Sequence, residues 1–514
     1  MPVSDPTSVV PPISASQRKA AAALLRAQTP AAAELGELFA RAGHELALVG
    51  GSVRDVFLGG HPAGDLDMTT DAVPEQVLEI AGEWADKTWT VGIDFGTVGM
   101  RKGNDIFEIT TYRSESYRPR SRKPDVKYGT SLDEDLVRRD FTINAMAARL
   151  PSYELVDPFG GLAALQEKVI RTPGRPEDSF SDDPLRILRA ARFAARLGFT
   201  VADDVQAAMR AQAQRLSIVS AERITDELTK LMLTDDPAYG IDLLVRTSVA
   251  DQVLPELPAL RMEVDEHHHH KDVYEHSLTV LRQAIDLEPR YGLSGDLVLR
   301  LAALLHDIGK PKTRKLLADG KVAFHHHEVV GAKMARKRLT DLRFGKEVVA
   351  DVSRLVELHL RFHGYGEGAA GSDRGGAGGS FPPEPAWTDA AVRRYVRDAG
   401  PLLPRLHVLT RADCTTRNRA KAARLARAYD GLERRIAELS EQEELARIRP
   451  ELDGNAIMRI LGIPPGPVVG KAYDYLLELR ISEGELGGEE VTQRLVRWAA
   501  EEGIDVPPSE PDED

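Results

Sequence analysis

The chain has 514 residues, a formal net charge of −13 and 42% hydrophobic residues. This length suits about three or four domains, the composition is that of an ordinary globular protein, and there is no run of some 18 apolar residues to span a membrane. A single cysteine, Cys414, excludes an intrachain disulfide framework, and the acidic balance argues against a uniformly basic nucleic-acid surface.

Residues 1–30 read as a polar Pro/Ser-rich lead-in that passes into an Ala-rich helix. They hold no signal-peptide apolar core, so a cytoplasmic location is expected. Over 31–172, short β-branched runs (ELALVGG, WTVGIDFGTVGM, DIFEITTYR) alternate with helical stretches, which predicts an α/β domain. Gly50 and Gly51 close an apolar strand ahead of a short helix, SVRDVFL, that carries Arg54. Glycines there let backbone N–H groups approach a triphosphate, and a helix N-terminus favours the anion, although an ordinary strand–helix turn has the same sequence. Asp65 and Asp67 are two residues apart, so on a strand both carboxylates project from one face, as a cation site beside a triphosphate requires. An isolated Asp-x-Asp is more often a solvated loop; Glu108, alternating with apolar Phe107 and Ile109, offers a third carboxylate from a neighbouring strand. Residues 113–127 carry six basic side chains (Arg113, Arg118, Arg120, Arg122, Lys123, Lys127) against Glu115 and Asp125, which taken alone is a solvated loop.

From 173 onward, Ala, Leu, Arg and Glu recur at helical spacing and the prediction is all-α. Residues 173–262 form the first helical segment. Arg186, Arg189, Arg192 and Arg196 fall within an arc of roughly 120° on one helix, and Asp183 lies one turn before Arg186. Such a stripe alone is usually surface. A carboxylate can accept from an exocyclic amine while a guanidinium donates to a ring acceptor, so an Asp/Arg pair can admit C and A and reject U and G without a template. Twelve of the fourteen histidines lie between 267 and 407, which marks 263–430 as a candidate metal-binding domain; His267–His270 has no assigned role. Within it, 364–380 holds eight glycines and reads as a flexible loop. Residues 431–514 are helical and end in the acidic SEPDED.

The ordered motifs GGSVRD, GDLD, FEITTYR, RRDFTINAMA (138–147) and DPFGG (157–161) resemble the head of class II tRNA nucleotidyltransferases and bacterial poly(A) polymerases, members of the polymerase-β-type superfamily. The resemblance implies an α/β head followed by an all-α neck and body for base recognition and RNA binding. It implies Mg²⁺ at Asp65 and Asp67, with Glu108 as third carboxylate, and nucleotide contacts from Gly50, Gly51, Arg54, Arg138, Arg139, Asp140 and Asn144. Asp183 and Arg186 match the family's base-reading Glu-Asp-x-x-Arg motif, with Asp182 in place of the first Glu; Arg189 and Arg192 follow on the same stripe. Glu222 and Arg223 match the next helical motif, which supports the pocket, and 113–127 becomes the loop near the active site.

VYEHSL, ALLHDIGK, FHHHEVVGA, LVELHL and LTRADC resemble HD-superfamily phosphohydrolases, an all-α fold. That resemblance implies His276, His306, Asp307 and Asp413 as metal ligands, with His327 and His359 as further ligands, Lys310 as catalytic support, and Mg²⁺, Mn²⁺, Ni²⁺ or Co²⁺ as the cation. The expected activity is CCA addition to tRNA 3′ ends from CTP and ATP, with tRNA as partner and no membrane. Poly(A) polymerase and split CC- or A-adding activities share every head motif, and an HD phosphatase or 2′,3′-cyclic phosphodiesterase with a vestigial head is the alternative from another class.

Overall fold

A computed structural model describes residues 14–60, 65–93, 96–116, 125–129, 131–261, 272–318, 322–362, 387–416, 418–443 and 449–506. His267–His270, the glycine-rich 364–380 stretch and most of the basic run (117–124) lie outside these residues. The chain divides into two units, Met1–Pro258 and Ala259–Asp514.

In the first unit, helices α1 (Ala15–Gln28) and α2 (Pro30–Arg41) precede strand β1 (Leu46–Val49) and helix α3 (Gly51–Phe57). The N-terminal helix is more than a lead-in: Leu25 is buried, and Arg26 donates to the backbone oxygen of Pro151. Next come β2 (Leu66–Thr70), α4 (Pro74–Ala81), β3 (Lys87–Trp89), β4 (Thr97–Lys102) and β5 (Asp105–Thr111). A hairpin, β6 (Arg113–Ser116) with β7 (Asp125–Tyr128), brackets the basic run and leads into α5 (Leu132–Val137). The sheet is completed by β8 (Ala147–Leu150) and β9 (Glu154–Val156), in the order β3-β4-β5-β2-β1-β8-β9. The pair β2/β5 is parallel and the other pairs are antiparallel. Central β1 (LALV) is buried on both faces, as its unbroken apolar run requires. In β5 burial alternates, so Phe107 and Ile109 face the core while Glu108 does not.

The neck is helical: α6 (Gly161–Glu167), α7 (Pro176–Asp182), α8 (Arg186–Leu197), α9 (Asp203–Gln212), α10 (Ala221–Met232), α11 (Pro237–Arg246) and α12 (Ala250–Val253). A two-stranded parallel pair, β10 (Val169–Ile170) with β11 (Thr200–Val201), brackets α7 and α8, so the segment is not wholly α.

The second unit packs α13 (Val273–Leu287), α14 (Leu297–Leu305), α15 (Lys310–Thr313), α16 (His327–Asp341) and α17 (Lys346–Leu358) with α18 (Asp389–Ala399), α19 (Leu403–Ala412) and α20 (Arg419–Glu443). A short hairpin, β12 (Arg314–Leu316) with β13 (Val322–Phe324), interrupts the helices. The final helices α21 (Gly454–Leu461), α22 (Pro467–Glu483) and α23 (Gly488–Glu501) enclose their own core around Ile457, Leu476 and Leu495. Arg393 ties them to α18 by donating to the Ile481 carbonyl. No helix among the described residues is long and apolar enough to cross a membrane.

Candidate active site and metal centre

The first unit holds a cleft of about 450 Å³ that gathers Gly50, Gly51, Arg54, Asp67 and Glu108 from the sheet side with Arg138, Arg139, Asp140 and Asn144 from the segment after α5. Asp183, Arg186 and Arg189 close it from the neck. The parallel register sets Asp67 directly opposite Glu108, so two carboxylates from neighbouring strands share one face. Asp65 stands one residue before β2 begins and is exposed. The crowding is visible in the protonation preferences. Asp67 is open to solvent on one side, yet desolvation by the surrounding cleft, reinforced by Asp65, pushes its carboxyl up although Arg139 pulls it down; burial with Asp67 and Asp65 pushes Glu108 up. A divalent cation relieves such repulsion, which is the sense in which this donor set fits one.

Gly50 sits at φ +73°, a conformation costly for any side chain, and a Cβ there would lie 3.5 Å from Arg139 Nη1 and 3.8 Å from Asp67 Oδ2. The Gly50→Ala variant is therefore expected to weaken nucleotide binding about tenfold, the effect of roughly 1.4 kcal/mol, read as a rise in nucleotide KM.

A chain of ion pairs and hydrogen bonds fixes the rest. Arg189 donates to Asp140 Oδ2 through Nε at 2.8 Å, while Asp140 Oδ1 accepts from Asn144 Nδ2 at 2.9 Å and from the Phe141 amide. Asn144 Oδ1 in turn accepts from buried Arg54, which also pairs with Asp55. Burial alone would raise the Asp140 carboxyl; Arg189 and Asn144 hold it below the ordinary range. Arg138 and Arg139 are both bound by Asp135, whose side chain is fully buried.

The structure departs from the single helix expected to carry both Asp183 and Arg186. Asp183 is not on α8; it is the extended residue that ends α7, and its Oδ1 accepts from the Leu185 amide. Arg186 opens α8, donating to Ser179 Oγ and to the Arg138 carbonyl. The Pro184 turn between them replaces the expected one-turn spacing, yet both side chains reach the same cleft. Arg223, from the AERITDEL helix, donates to Asp183 Oδ2 at 2.9 Å. The arginine stripe also divides. Arg192 is buried behind the cleft, stacked on Phe193 and paired with Glu227 at 2.6 Å, rather than among the residues that line it. Glu227, which also approaches Arg189, escaped the sequence reading, as did Asp135 and Asp55. Glu227→Ala strands a buried guanidinium, so a loss of roughly 3 kcal/mol in urea unfolding is expected, against less than about 1 kcal/mol for exposed Lys230→Ala.

In the second unit, two groups of possible metal ligands adjoin: His276, His306 and Asp413, and Asp307, His327 and His359. Asp307 faces both. Its Oδ2 lies 3.2 Å from His306 Nε2 and 3.6 Å from His276 Nε2, and its Oδ1 lies 3.3 Å from His327 Nε2 and 3.9 Å from His359 Nε2. Helix ends create this convergence: His306, His359 and Asp413 follow the last turns of α14, α17 and α19, and His327 opens α16. Three of the imidazoles use one local device, donating Nδ1–H to a carbonyl three residues earlier (Ala303, Phe324, Val356), which turns Nε2 inward. His276 instead pairs Nδ1 with Thr415 Oγ1.

The fit to divalent cations rests on Nε2 of His327 and of His359, both buried and, among the described residues, without a hydrogen bond of good geometry (His327 Nε2 has only Asp307 Oδ1 at 3.3 Å beside it), an arrangement that costs stability unless something binds there. Burial would lower the His306 imidazole, but Asp307 and Asp413 push it up to about 10; burial, with His306 nearby, takes His359 down to about 4. Gly309 has no room for a side chain against the His327 backbone, and this close approach brings α16 beside Asp307. Lys310 Nζ donates to Asp307 Oδ2 at 2.6 Å. All six sequence-predicted ligands are thus gathered.

Residues 46–171 match the family described as "Poly A polymerase head domain", 198–260 match "Probable RNA and SrmB- binding site of polymerase A", and 273–418 match "HD domain". The chain is 37% identical over 380 residues to the A-adding tRNA nucleotidyltransferase of Deinococcus radiodurans, covering 72% of this chain and 80% of that one. The chain belongs to the tRNA nucleotidyltransferase/poly(A) polymerase family. This is an enzyme family, and here its head and neck are followed by an HD domain. The CC-adding tRNA nucleotidyltransferase of Thermus thermophilus is 33% identical over 465 residues, 88% of this chain and 93% of its own. The CCA-adding enzyme of Bacillus subtilis is 40% identical over 213 residues, which span 41% of this chain and 52% of that enzyme. The crystal structure of the Bacillus stearothermophilus CCA-adding enzyme in complex with CTP superposes with a TM-score of 0.63 at 25% identity, covering 93% of this chain and 98% of that one.

Proposed function

We propose that the first unit adds the CCA end to tRNA from CTP and ATP without a template, releasing pyrophosphate. The observation that carries this reading is a single cleft holding the in-register carboxylates Asp67 and Glu108 together with Asp183 and Arg186. The tRNA 3′-oxygen bonds to the α-phosphorus of the nucleotide as the α–β phosphoanhydride bond breaks, with pyrophosphate leaving in line. Mg²⁺ bound by Asp65 and Asp67, with Glu108 beside them, would supply Lewis-acid stabilisation of the attacking oxygen and the triphosphate. The chain itself provides the backbone N–H groups of Gly50–Gly51 and the guanidinium groups of Arg54, Arg138 and Arg139 to hold the triphosphate and sugar. Asp183 accepts from the exocyclic amine of C or A, and Arg186 donates to the adjacent ring acceptor. Arg189 keeps Asp140 and Asn144 in place beneath the nucleotide.

A second reading has specific support: two relatives whose matches cover 72% and 88% of this chain bear the names A-adding and CC-adding. One assay separates them, using transcripts that end before CCA, after CC and after CCA, with CTP and ATP offered singly and together. Growth that stops at CCA supports the first reading. Addition of CC alone, or of A to the CC transcript alone, replaces it with a split activity, and unlimited A addition makes the chain a poly(A) polymerase.

The second unit reads as a metal-dependent phosphohydrolase. His276, His306 and Asp413 would hold one cation and His327 and His359 another, with Asp307 between; Mg²⁺, Mn²⁺, Ni²⁺ and Co²⁺ all suit imidazole with carboxylate. Lys310 is placed to offset charge on a phosphate.

A further inference from the structure

Asp135 touches no sequence-predicted metal ligand, yet it lies beneath two arginines of the nucleotide cleft. Its Oδ1 accepts from Arg138 Nε at 3.1 Å and Nη2 at 2.9 Å, and its Oδ2 accepts from Arg139 Nη2 at 3.2 Å. The side chain has no exposed surface, a costly position for a carboxylate unless strong partners compensate. Burial would raise its carboxyl; Arg139 and Arg138 hold it below the ordinary range, so it stays an anion.

The second constraint comes from the opposite side of Arg139. The point where a Gly50 Cβ would stand is 3.5 Å from Arg139 Nη1 and 3.8 Å from Asp67 Oδ2, so these two groups lie within about 7 Å of each other across the glycine. Arg139 is thus a cation between two carboxylates. If it closed on Asp67 it would form an ion pair at the position a divalent cation must take. What stands against this is its bond to Asp135, made by Nη2 while Nη1 faces Gly50.

We propose that Asp135 is a positioning residue that holds the Arg139 guanidinium off the Asp67 carboxylate and so keeps Asp67 open to a divalent cation. The inference rests on the reading of Asp65 and Asp67 as cation ligands. With Asp135 neutral, Arg139 becomes an internal competitor for Asp67, and the deficit is one of cation affinity, which excess metal overcomes.

The test is Mn²⁺ binding to the full chain followed by electron paramagnetic resonance, with Asp307→Ala as a common background to remove binding in the second unit. Asp67→Ala on this background must abolish the remaining tight binding. If it does not, the cation-site reading fails and this inference with it. Given that control, Asp135→Asn is expected to weaken Mn²⁺ binding by about tenfold or more, and adding Arg139→Ala is expected to restore it to within about threefold. Unchanged affinity in Asp135→Asn overturns the proposal, and so does weakened binding that Arg139→Ala fails to restore, since a general distortion would not be rescued by removing one guanidinium. Should Asp135→Asn not fold, as judged by circular dichroism, Arg139→Ala alone decides. Tightening by more than about tenfold means the guanidinium already occupies Asp67 and overturns the proposal, whereas a change within about threefold supports it.

Discussion

Asp67→Ala is expected to lower kcat for nucleotide addition by roughly a thousandfold or more, while the divalent-cation content of the second unit stays unchanged. The size follows from position. Asp67 lies in register with Glu108 on the wall of the cleft, so removing it takes away one of the two facing carboxylates of the set. Single-turnover extension of a CCA-less transcript, beside elemental analysis of the same protein, reads both halves of the prediction. Retention of more than about a tenth of wild-type kcat would mean that the reaction does not depend on this carboxylate.

Asp307→Ala should have the reverse effect: loss of bound metal from the second unit and of any phosphohydrolysis there, with nucleotide addition intact. Asp307 is buried, and its two oxygens face different histidine groups, so one substitution deprives both of a shared ligand. A loss in metal affinity of more than about a hundredfold is expected, beyond what removal of an orienting neighbour produces. Titration calorimetry with Mn²⁺ on wild type and variant measures it. A variant that keeps full affinity at one group would show that the two groups bind independently.

The two sites were legible in the sequence to different degrees. The candidate metal ligands of the HD domain were legible because each sits in a short local motif, most of them at a helix end, and the carbonyl that orients three of the four histidines is only three residues away. The carboxylates of the head were legible because strand alternation fixes which way Asp67 and Glu108 point. The arginine stripe was legible only as a stripe. Helical spacing puts Arg186, Arg189, Arg192 and Arg196 on one arc, but spacing is blind to the acids that meet them: Asp140 is 49 residues from Arg189, and Glu227 is 35 from Arg192. The extended residue at Asp183 was missed because the local sequence continues in helix-forming residues, and Pro184 alone signalled the break.

The sequence by itself determined the α/β head, the helical remainder and which residues are candidates for the chemistry, since motif spacing and hydrophobic periodicity are local properties of the chain. Only the tertiary structure decided which of them act together. It set Asp67 opposite Glu108 through strand register, gave Asp307 two histidine groups to bridge, withdrew Arg192 from the cleft to neutralise Glu227, and placed Asp135 beneath Arg138 and Arg139. The physical reason is common to all four: a buried charge must find its counter-charge in space, and where that partner lies along the chain is fixed by packing and register, which no local pattern encodes.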